Sequence, residues 1–474
     1  MKKILFFKFL LLSFLAIGQT VTVSEEVTLR EDKSYDIIGD ERGNVLLFRN
    51  KGNKFEVQGY DRQMKQRWEK EIELDRKNSE VLKVVPLGGD FCVIYQFRFK
   101  SDLILKAQRY SSGANLIDSI TIKIFESTFF TPNFNIELSE NKKAALIWHV
   151  RQQNDVSALS FNMDEMKLLW EKSFMPEGLF MPRDFQQMLV DNGGNMYLVL
   201  LKDNQSSRNR SHYLEIFDYG LGTEEILRRY IVPMKDYLTY DVYFSFDNLN
   251  NTLTAGGLYS SNNPARAEGF YYLRIAQNNT EDQFLYFHPF EHDFVNVLLE
   301  KEKTKNKGLP EVSVQDIVLR TDGGIILIGE LNKSLNRGGG VPTGYYTRGS
   351  FRTIIDYYFD DVFLISIHPT GDIHWIDILH KKQYSQDDGA IYSSFFIAKT
   401  PTALRLIFND EIKSENIVSE YVIRGDGKYD RKAVMNTERK ELMLRLRDAI
   451  QISANEIIIP SERRSRLKLV RVAY

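Results

Sequence analysis

Apolar residues recur along this chain in short runs. Many alternate with polar residues at a period of two, and glycine- or asparagine-rich turns separate them. That pattern predicts half-buried strands and few helices. A few runs are apolar at nearly every position, and Val362–Ile367 (VFLISI) is the clearest. It predicts a strand covered on both faces. A second run, Ile373–Leu379, follows the corner His368-Pro369-Thr370-Gly371. Pro369 presets φ for the turn, and Gly371 is expected in a left-handed or bulge conformation. A hairpin covered on both faces must lie between other sheets.

The hairpin is one copy of a repeat. From Tyr35 to Asn436 the predicted strands fall into seven consecutive sets of four. A further three, Asp448–Ser453, Glu456–Pro460 and Leu467–Val472, close the chain, and one unassigned strand, Val23–Leu29, opens it. The second strands of the sets begin near residues 45, 91, 144, 196, 252, 325, 403 and 456. Most steps are close to the length of a four-stranded propeller blade, about 40–50 residues. The fold expected is therefore an all-β propeller of eight four-stranded blades. The N-terminal strand would complete the C-terminal blade and so remove the open sheet edges. Seven blades is the alternative count, and two stacked β-domains the alternative architecture.

The first residues, MKKILFFKFLLLSFLAIG, combine a basic start, an apolar stretch and small residues before Gln19. This reads as a secretory signal peptide, residues 1–18, leaving 19–474 as a single propeller domain. The apolar stretch is short for a spanning helix, and no later window approaches that length. The 62 lysines and arginines less the three of the leader leave 59, against 64 acidic residues. The charges are interspersed, so no nucleic-acid stripe or polybasic membrane arm is predicted. Cys92 is the only cysteine, which excludes an internal disulfide framework.

Three tryptophans stand at equivalent points before or in fourth strands: Trp68 in RQMKQRWEKEI, Trp170 in DEMKLLWEKSF and Trp375 in PTGDIHWIDIL. This resembles the quinoprotein-like, WD40-like blade repeat of bacterial periplasmic propellers. In that repeat an alanine, then Asp or Asn, then Thr-Gly precede a tryptophan that docks on the next blade. Thr370-Gly371 and Trp375 have the family spacing, with Ile365 and Ile367 in place of Ala and Asp. Ser160, Asn162 and Trp170 fit the other half, with Glu165-Met166 in place of Thr-Gly, and Trp68 keeps only the tryptophan. The resemblance implies blade-docking roles for Trp68, Trp170 and Trp375. Relatives of this kind include outer-membrane assembly scaffolds and quinone-dependent dehydrogenases. The latter often use a vicinal disulfide and a calcium set, which a single cysteine and this donor pattern do not supply. The leader ending in Gly-Gln, the Lys/Asn/Phe/Tyr-rich composition and Asp118-Ser119-Ile120, which matches a short O-glycosylation pattern, look like exported proteins of Bacteroidota. The C-terminus runs into the presumed last blade without a separate sorting domain, so the periplasm is favoured over the extracellular space.

No catalytic motif stands out. There is no Gly-x-Ser-x-Gly elbow, phosphate-binding Gly-Lys-Ser/Thr loop, His-Glu-x-x-His helix or glycosidase Asp-box. His288 and His292 have helical ligand spacing, but Pro289 argues against a helix there, so no metal site is predicted. Asp356, Asp360 and Asp361 form an acidic cluster, read as charge capping a strand. The segment 332–358, NKSLNRGGGVPTGYYTRGSFRTIIDYY, interrupts the sixth set and reads as an insertion loop. It carries Arg337, Tyr345, Tyr346, Arg348, Phe351, Arg352, Tyr357 and Tyr358, of types enriched at binding hot spots. Two other insertions, Ser206–Ser211 and Leu299–Gly308, read as solvated connections.

These readings favour a noncatalytic periplasmic platform that binds an envelope protein or polysaccharide, without cofactor or nucleic acid. The competing expectation is a propeller enzyme acting on glycans or another periplasmic substrate at the mouth of the central channel. Its candidate groups are Asp36, Asp184, Asp241 and Asp316, each in or just before a first strand.

Overall fold

A computed structural model describes residues 19–40, 43–126, 131–205, 211–221, 226–261, 264–300, 308–338, 353–412 and 416–474. The chain forms eight antiparallel sheets, each built on four blade strands and two of them with a short fifth, arranged as an eight-bladed β-propeller. Within each of the first seven blades the strands run in simple sequence order from the channel outwards. The second strands are Val45–Asn50, Asp90–Phe99, Ala144–Arg151, Met196–Lys202, Thr252–Ser260, Ile325–Gly338, Ala403–Asn409 and Glu456–Arg463. Their starts agree with the expected ones to within a residue, because each follows a turn whose residues are explicit in the sequence.

The eighth blade closes the ring. Its three C-terminal strands, Ile450–Ser453, Glu456–Arg463 and Arg466–Ala473, are joined on the outside by the chain's beginning. Thr20–Val23 pairs antiparallel with Arg466–Ala473, Thr20 opposite Ala473 and Val23 opposite Val470. Val27–Thr28 continues against Leu467 and Arg466. The strand expected at Val23–Leu29 thus starts earlier and is broken near Ser24. There the Ser24 backbone N–H donates to the Leu469 carbonyl (2.9 Å), and the Leu469 N–H donates to the Ser24 hydroxyl (2.8 Å). Closure by this strand fixes the count at eight and excludes two stacked domains.

The core is a ring of apolar clusters between adjacent blades. Phe48 and Val57 of the first blade pack with Phe91 and Tyr95 of the second. Ile458 and Leu469 of the eighth pack with Val45 and Leu47 of the first. Second and third strands supply most of this surface. Val362, Phe363, Leu364, Ile365 and Ile367 are all buried, as the unbroken apolar run requires. Outer strands keep one wet face, and Gln66–Ile72 is exposed at most positions. Burying apolar surface at about 25 cal/mol per Å² makes each joint a major source of stability.

Antiparallel order sends the turns to two faces. First-to-second and third-to-fourth turns emerge on one face, called lower here. Second-to-third turns and the links between blades emerge on the upper face. No first-to-second turn exceeds five residues. The strands that flank the long connections 290–311, 339–352, 380–394 and 437–449 end at the upper face. The two α-helices among the described residues, α1 (Met181–Asp184) and α2 (His292–Leu298), lie in upper connections.

Candidate functional site

The segment expected as an irregular loop begins and ends as paired strand. The sixth blade's second and third strands, Ile325–Gly338 and Thr353–Ile367, run on past the blade as a ribbon. Asn332 faces Phe359, Ser334 faces Tyr357, and Gly338 faces Thr353. Isoleucines and tyrosines at 354, 355, 357 and 358 favour extended backbone, which is why pairing persists through a stretch read as loop. A third strand, Gln383–Gln386, pairs with Asp356–Phe359. Asp356 pins the ribbon: it ion-pairs with Arg337 and accepts from the Tyr384 hydroxyl at 2.8 Å. The Arg337 guanidinium holds the Asp356 carboxyl below the ordinary carboxylate range. Tyr358 packs on Tyr384 with ring centroids 5.2 Å apart. Tyr345, Tyr346, Arg348, Phe351 and Arg352 lie outside the described residues.

At the ribbon's root a pocket of about 760 Å³ is framed by Leu331–Lys333, Asp360, Asp361, His380–Lys382 and the end of α2. Here the acidic cluster separates into three roles. Asp356 is taken by the ribbon. Asp361 accepts from the Lys381 backbone N–H (3.2 Å) and lies 3.0 Å from His380 Nδ1. Asp360 keeps Oδ1 buried without a hydrogen-bond partner, and burial pushes its carboxyl up, moderated by Lys382 and Lys381. Below the pocket, Lys381 Nζ meets Glu330 Oε1 at 2.6 Å, with both side chains sealed from solvent. Ser394 donates to the other Glu330 oxygen at 2.7 Å. Among the described residues that line the pocket there is no serine, threonine or cysteine, and the Tyr421 hydroxyl beside it donates to the His380 carbonyl at 2.8 Å.

The channel wall takes two of the four predicted aspartates. Asp36 lines a cavity of about 910 Å³ that runs along the inner strands towards the eighth blade. Asp316 lines one of about 430 Å³ with Glu137, Gln187, Tyr243 and Lys399. Burial raises the Asp36, Glu137 and Asp316 carboxyls. Lys83 opposes the rise at Asp36 and Glu137. Lys399 opposes it at Asp316, with Nζ 3.5 Å from Oδ2. Amides stitch neighbouring blades beside these charges. The Gln187 side chain donates to the Phe244 carbonyl and accepts from its N–H, both at 2.9 Å. Gln451 does the same to Lys399, at 2.7 and 2.9 Å.

The other two aspartates are held by their surroundings. Asp241 turns into the joint between blades five and six, where it accepts the Val314 N–H (2.8 Å) and the Val242 N–H (2.9 Å). Asp184 ends α1 one residue before its strand, so its side chain is buried at the rim beside Lys202 (2.8 Å) and Arg183. Burial alone would raise its carboxyl. Hydrogen bonds from Arg183, Lys202 and the Phe180 N–H overcome this and hold it at about 2.

Lys83, Glu137, Gln187, Tyr243 and Lys399 were not foreseen as channel groups. A positional signal was available: Asp36, Gln187 and Asp316 each stand four residues before the start of the following turn, at Asp40, Asp191 and Arg320. Residue type alone had selected the aspartates.

The tryptophans stand at joints between blades. Trp170 Nε1 donates to the Gly194 carbonyl of the fourth blade at 2.9 Å, and Trp375 Nε1 to the Gly425 carbonyl of the seventh at 3.0 Å. Trp68 packs into the cluster shared by blades one and two. Gly371 has φ +87°, the left-handed turn residue expected of its corner. Ser119 is exposed on the outer strand Leu116–Phe125. His288 Nε2 lies 2.7 Å from the Gly371 carbonyl, and among the described residues no group of three or more His, Cys, Asp or Glu side chains is placed to hold a metal ion.

No protein-family model and no curated protein matches this chain. Solved structures do. The chain is similar to Porphyromonas gingivalis dipeptidyl peptidase 4 at 10% identity, over 93% of this chain and 59% of that one, with a TM-score of 0.46. It is similar to the polysaccharide lyase Uly1 at 9% identity, over 83% and 90%, with a TM-score of 0.40. It is also similar to the β-propeller domain of the Trilobed protease from Pyrococcus furiosus, at 10% identity over 85% and 97%, with a TM-score of 0.35. These likenesses concern fold alone.

Proposed function

We propose that this protein is a noncatalytic binding platform whose upper face, led by the ribbon of the sixth blade, captures an envelope protein or polymer. The observation that carries this reading is the ribbon's anchored root. Three paired strands, the Arg337–Asp356–Tyr384 contacts and the Tyr358–Tyr384 packing hold the base of 339–352 in a fixed geometry. A recognition element on a pre-ordered base loses less entropy on binding than one on a free loop. Export belongs to the same reading and rests on the leader-like residues 1–18. The glycan-enzyme alternative has less support, because Asp184 and Asp241 are committed to an ion pair and to backbone amides.

Gly338 and Thr353 are direct partners, so 339–352 can be replaced by a two-residue turn. The shortened protein should keep its thermal transition and lose the partners that the intact chain retains from envelope extracts. Recovery of the same partners in the same yield would reject the ribbon as the recognition element.

A further inference from the structure

We propose that the groove at the upper outer edge of the eighth blade is a binding site for an acidic polysaccharide, gripped by Arg30, Arg463, Arg464, Arg466 and Lys468. The groove encloses about 500 Å³, and those five cations line it with Glu26, Glu441 and Ser461. It stands on observations separate from those at the ribbon.

The first is an uncompensated concentration of charge. Arg463 and Arg466 are direct cross-strand partners on either side of a two-residue turn, an arrangement that like charges disfavour. Arg464 occupies the turn itself. Elsewhere many arginines are neutralised, as Arg49 is by Asp32 and Glu56, Arg109 by Asp90, and Arg228 by Asp218, or lie over an aromatic ring, as Arg274 and Arg447 do. In the groove only Arg466 has a carboxylate partner, Glu26 at 3.1 Å, and that pair is well exposed. Among the described residues Arg30, Arg463 and Arg464 form no ion pair. The nearest acidic neighbour in sequence, Glu462, is occupied by Arg445 and by the Tyr35 hydroxyl.

The second is the backbone that gathers them. Arg464 and Ser465 both adopt left-handed conformations, with φ 50° and 58°, where asparagine or glycine would be easier. The Leu29 N–H donates to the Ser465 carbonyl at 2.8 Å, which brings Arg30 beside the turn. Lys468 donates to the Lys440 carbonyl at 3.1 Å and anchors the groove's inner wall.

The lining selects among anions. Guanidinium forks match carboxylate and sulfate groups bidentately. No aromatic ring lines the groove to stack a base, and no apolar residue lines it to enter a membrane. Glu26 and Glu441 can accept hydrogen bonds from sugar hydroxyls, and they repel a continuous phosphate backbone. A polymer that alternates acid groups with hydroxyls meets all of these conditions.

The groove also straddles the ring closure. Arg30 follows the N-terminal strand, whereas Arg463–Lys468 belong to the C-terminal hairpin, so one bound chain would cross-brace both. A ligand that binds the closed ring and not the open chain raises the melting temperature.

The test uses residues 19–474 with four probes: a heparin oligosaccharide, an oligogalacturonate, an oligothymidylate and phosphatidylglycerol vesicles. One or both oligosaccharides should bind with an affinity that falls steeply with salt and should raise the melting temperature. The double variant Arg463→Gln, Arg464→Asn removes two charges while asparagine keeps the left-handed turn. It should bind at least roughly tenfold more weakly and with a shallower salt dependence. Arg30→Gln, on a separate segment, should weaken binding in the same direction. Removal of 339–352 should leave saccharide affinity unchanged, so failure of this proposal and failure of the ribbon reading are separable. Unaltered saccharide affinity in the arginine variants, tighter binding of the oligonucleotide or the vesicles, or no saccharide binding at all would overturn the proposal.

Discussion

On the lower face, Asp40 accepts the Asn44 backbone N–H at 2.7 Å and its side-chain amide at 2.9 Å. Asp191 treats Asn195 the same way three blades on, at 2.9 and 2.8 Å. Both turns read Asp-x-x-Gly-Asn, with Gly43 and Gly194 at φ +80° and +82°. Among the described residues of the upper face no such formula recurs. There the connections are held by particular long-range pairs, such as Lys381 with Glu330 and Asp184 with Lys202. These two lower-face turns are secured from within by one solution, and Asn192 then accepts the Asn141 N–H of the blade before. The upper face ties distant segments together, so each connection needs its own solution and is free to carry different chemistry.

If the comparison is sound, the two faces should fail differently. Trp170→Ala removes a buried indole and its bond to a lower-face turn, and should cost about 4 kcal/mol by chemical denaturation. A loss below about 1 kcal/mol would show that the joint does not depend on the wedge. Lys381→Met leaves Glu330 buried and unpaired on the upper side and should cost about 3 kcal/mol. Adding Glu330→Leu should recover much of this, since the uncompensated charge is then gone. A double variant no better than the single one would assign the loss to packing.

A smaller, pH-dependent effect is expected at Asp184. Its carboxyl is held at about 2, below the ordinary value of 3.8, so its stabilisation is complete above that ordinary value. The gap between the intact protein and Asp184→Asn should stay constant from neutral pH to about pH 5, then close as pH falls towards 2. A gap that is flat with pH would mean that shape, not charge, holds α1. Smallest of the stability losses, Asp40→Ala removes two turn bonds and should cost about 1 kcal/mol in melting studies. The equivalent change at Asp191 should cost about the same if the lower-face formula is general.

The same contrast decides what was legible in the sequence. Blade count, strand starts and ring closure follow from local signals: apolar runs, turn residues and an odd strand at each end. The Gly371 corner is of that kind. The site is less legible because its partners lie far apart in sequence. Asp184 and Lys202, or Glu330 and Ser394, carry no mutual signature. Asp184 sits one residue outside a strand, and that offset is enough to move it from the channel wall to the rim. The ribbon was read as a loop because Arg337 and the glycines at 338–340 mask a pairing that the flanking isoleucines and tyrosines sustain. The arginine groove escaped notice because its charges are unremarkable in a chain of balanced composition until the hairpin turn brings them together.

The pairing of Thr20 with Ala473 has a mechanical consequence. Thr20 and Ala473 meet at the same end of the closing ladder. Tension applied between them would load its hydrogen bonds one at a time, as in opening a zip, and not in parallel shear. A ring that heat must melt through eight apolar joints would then yield to modest pulling at its seam.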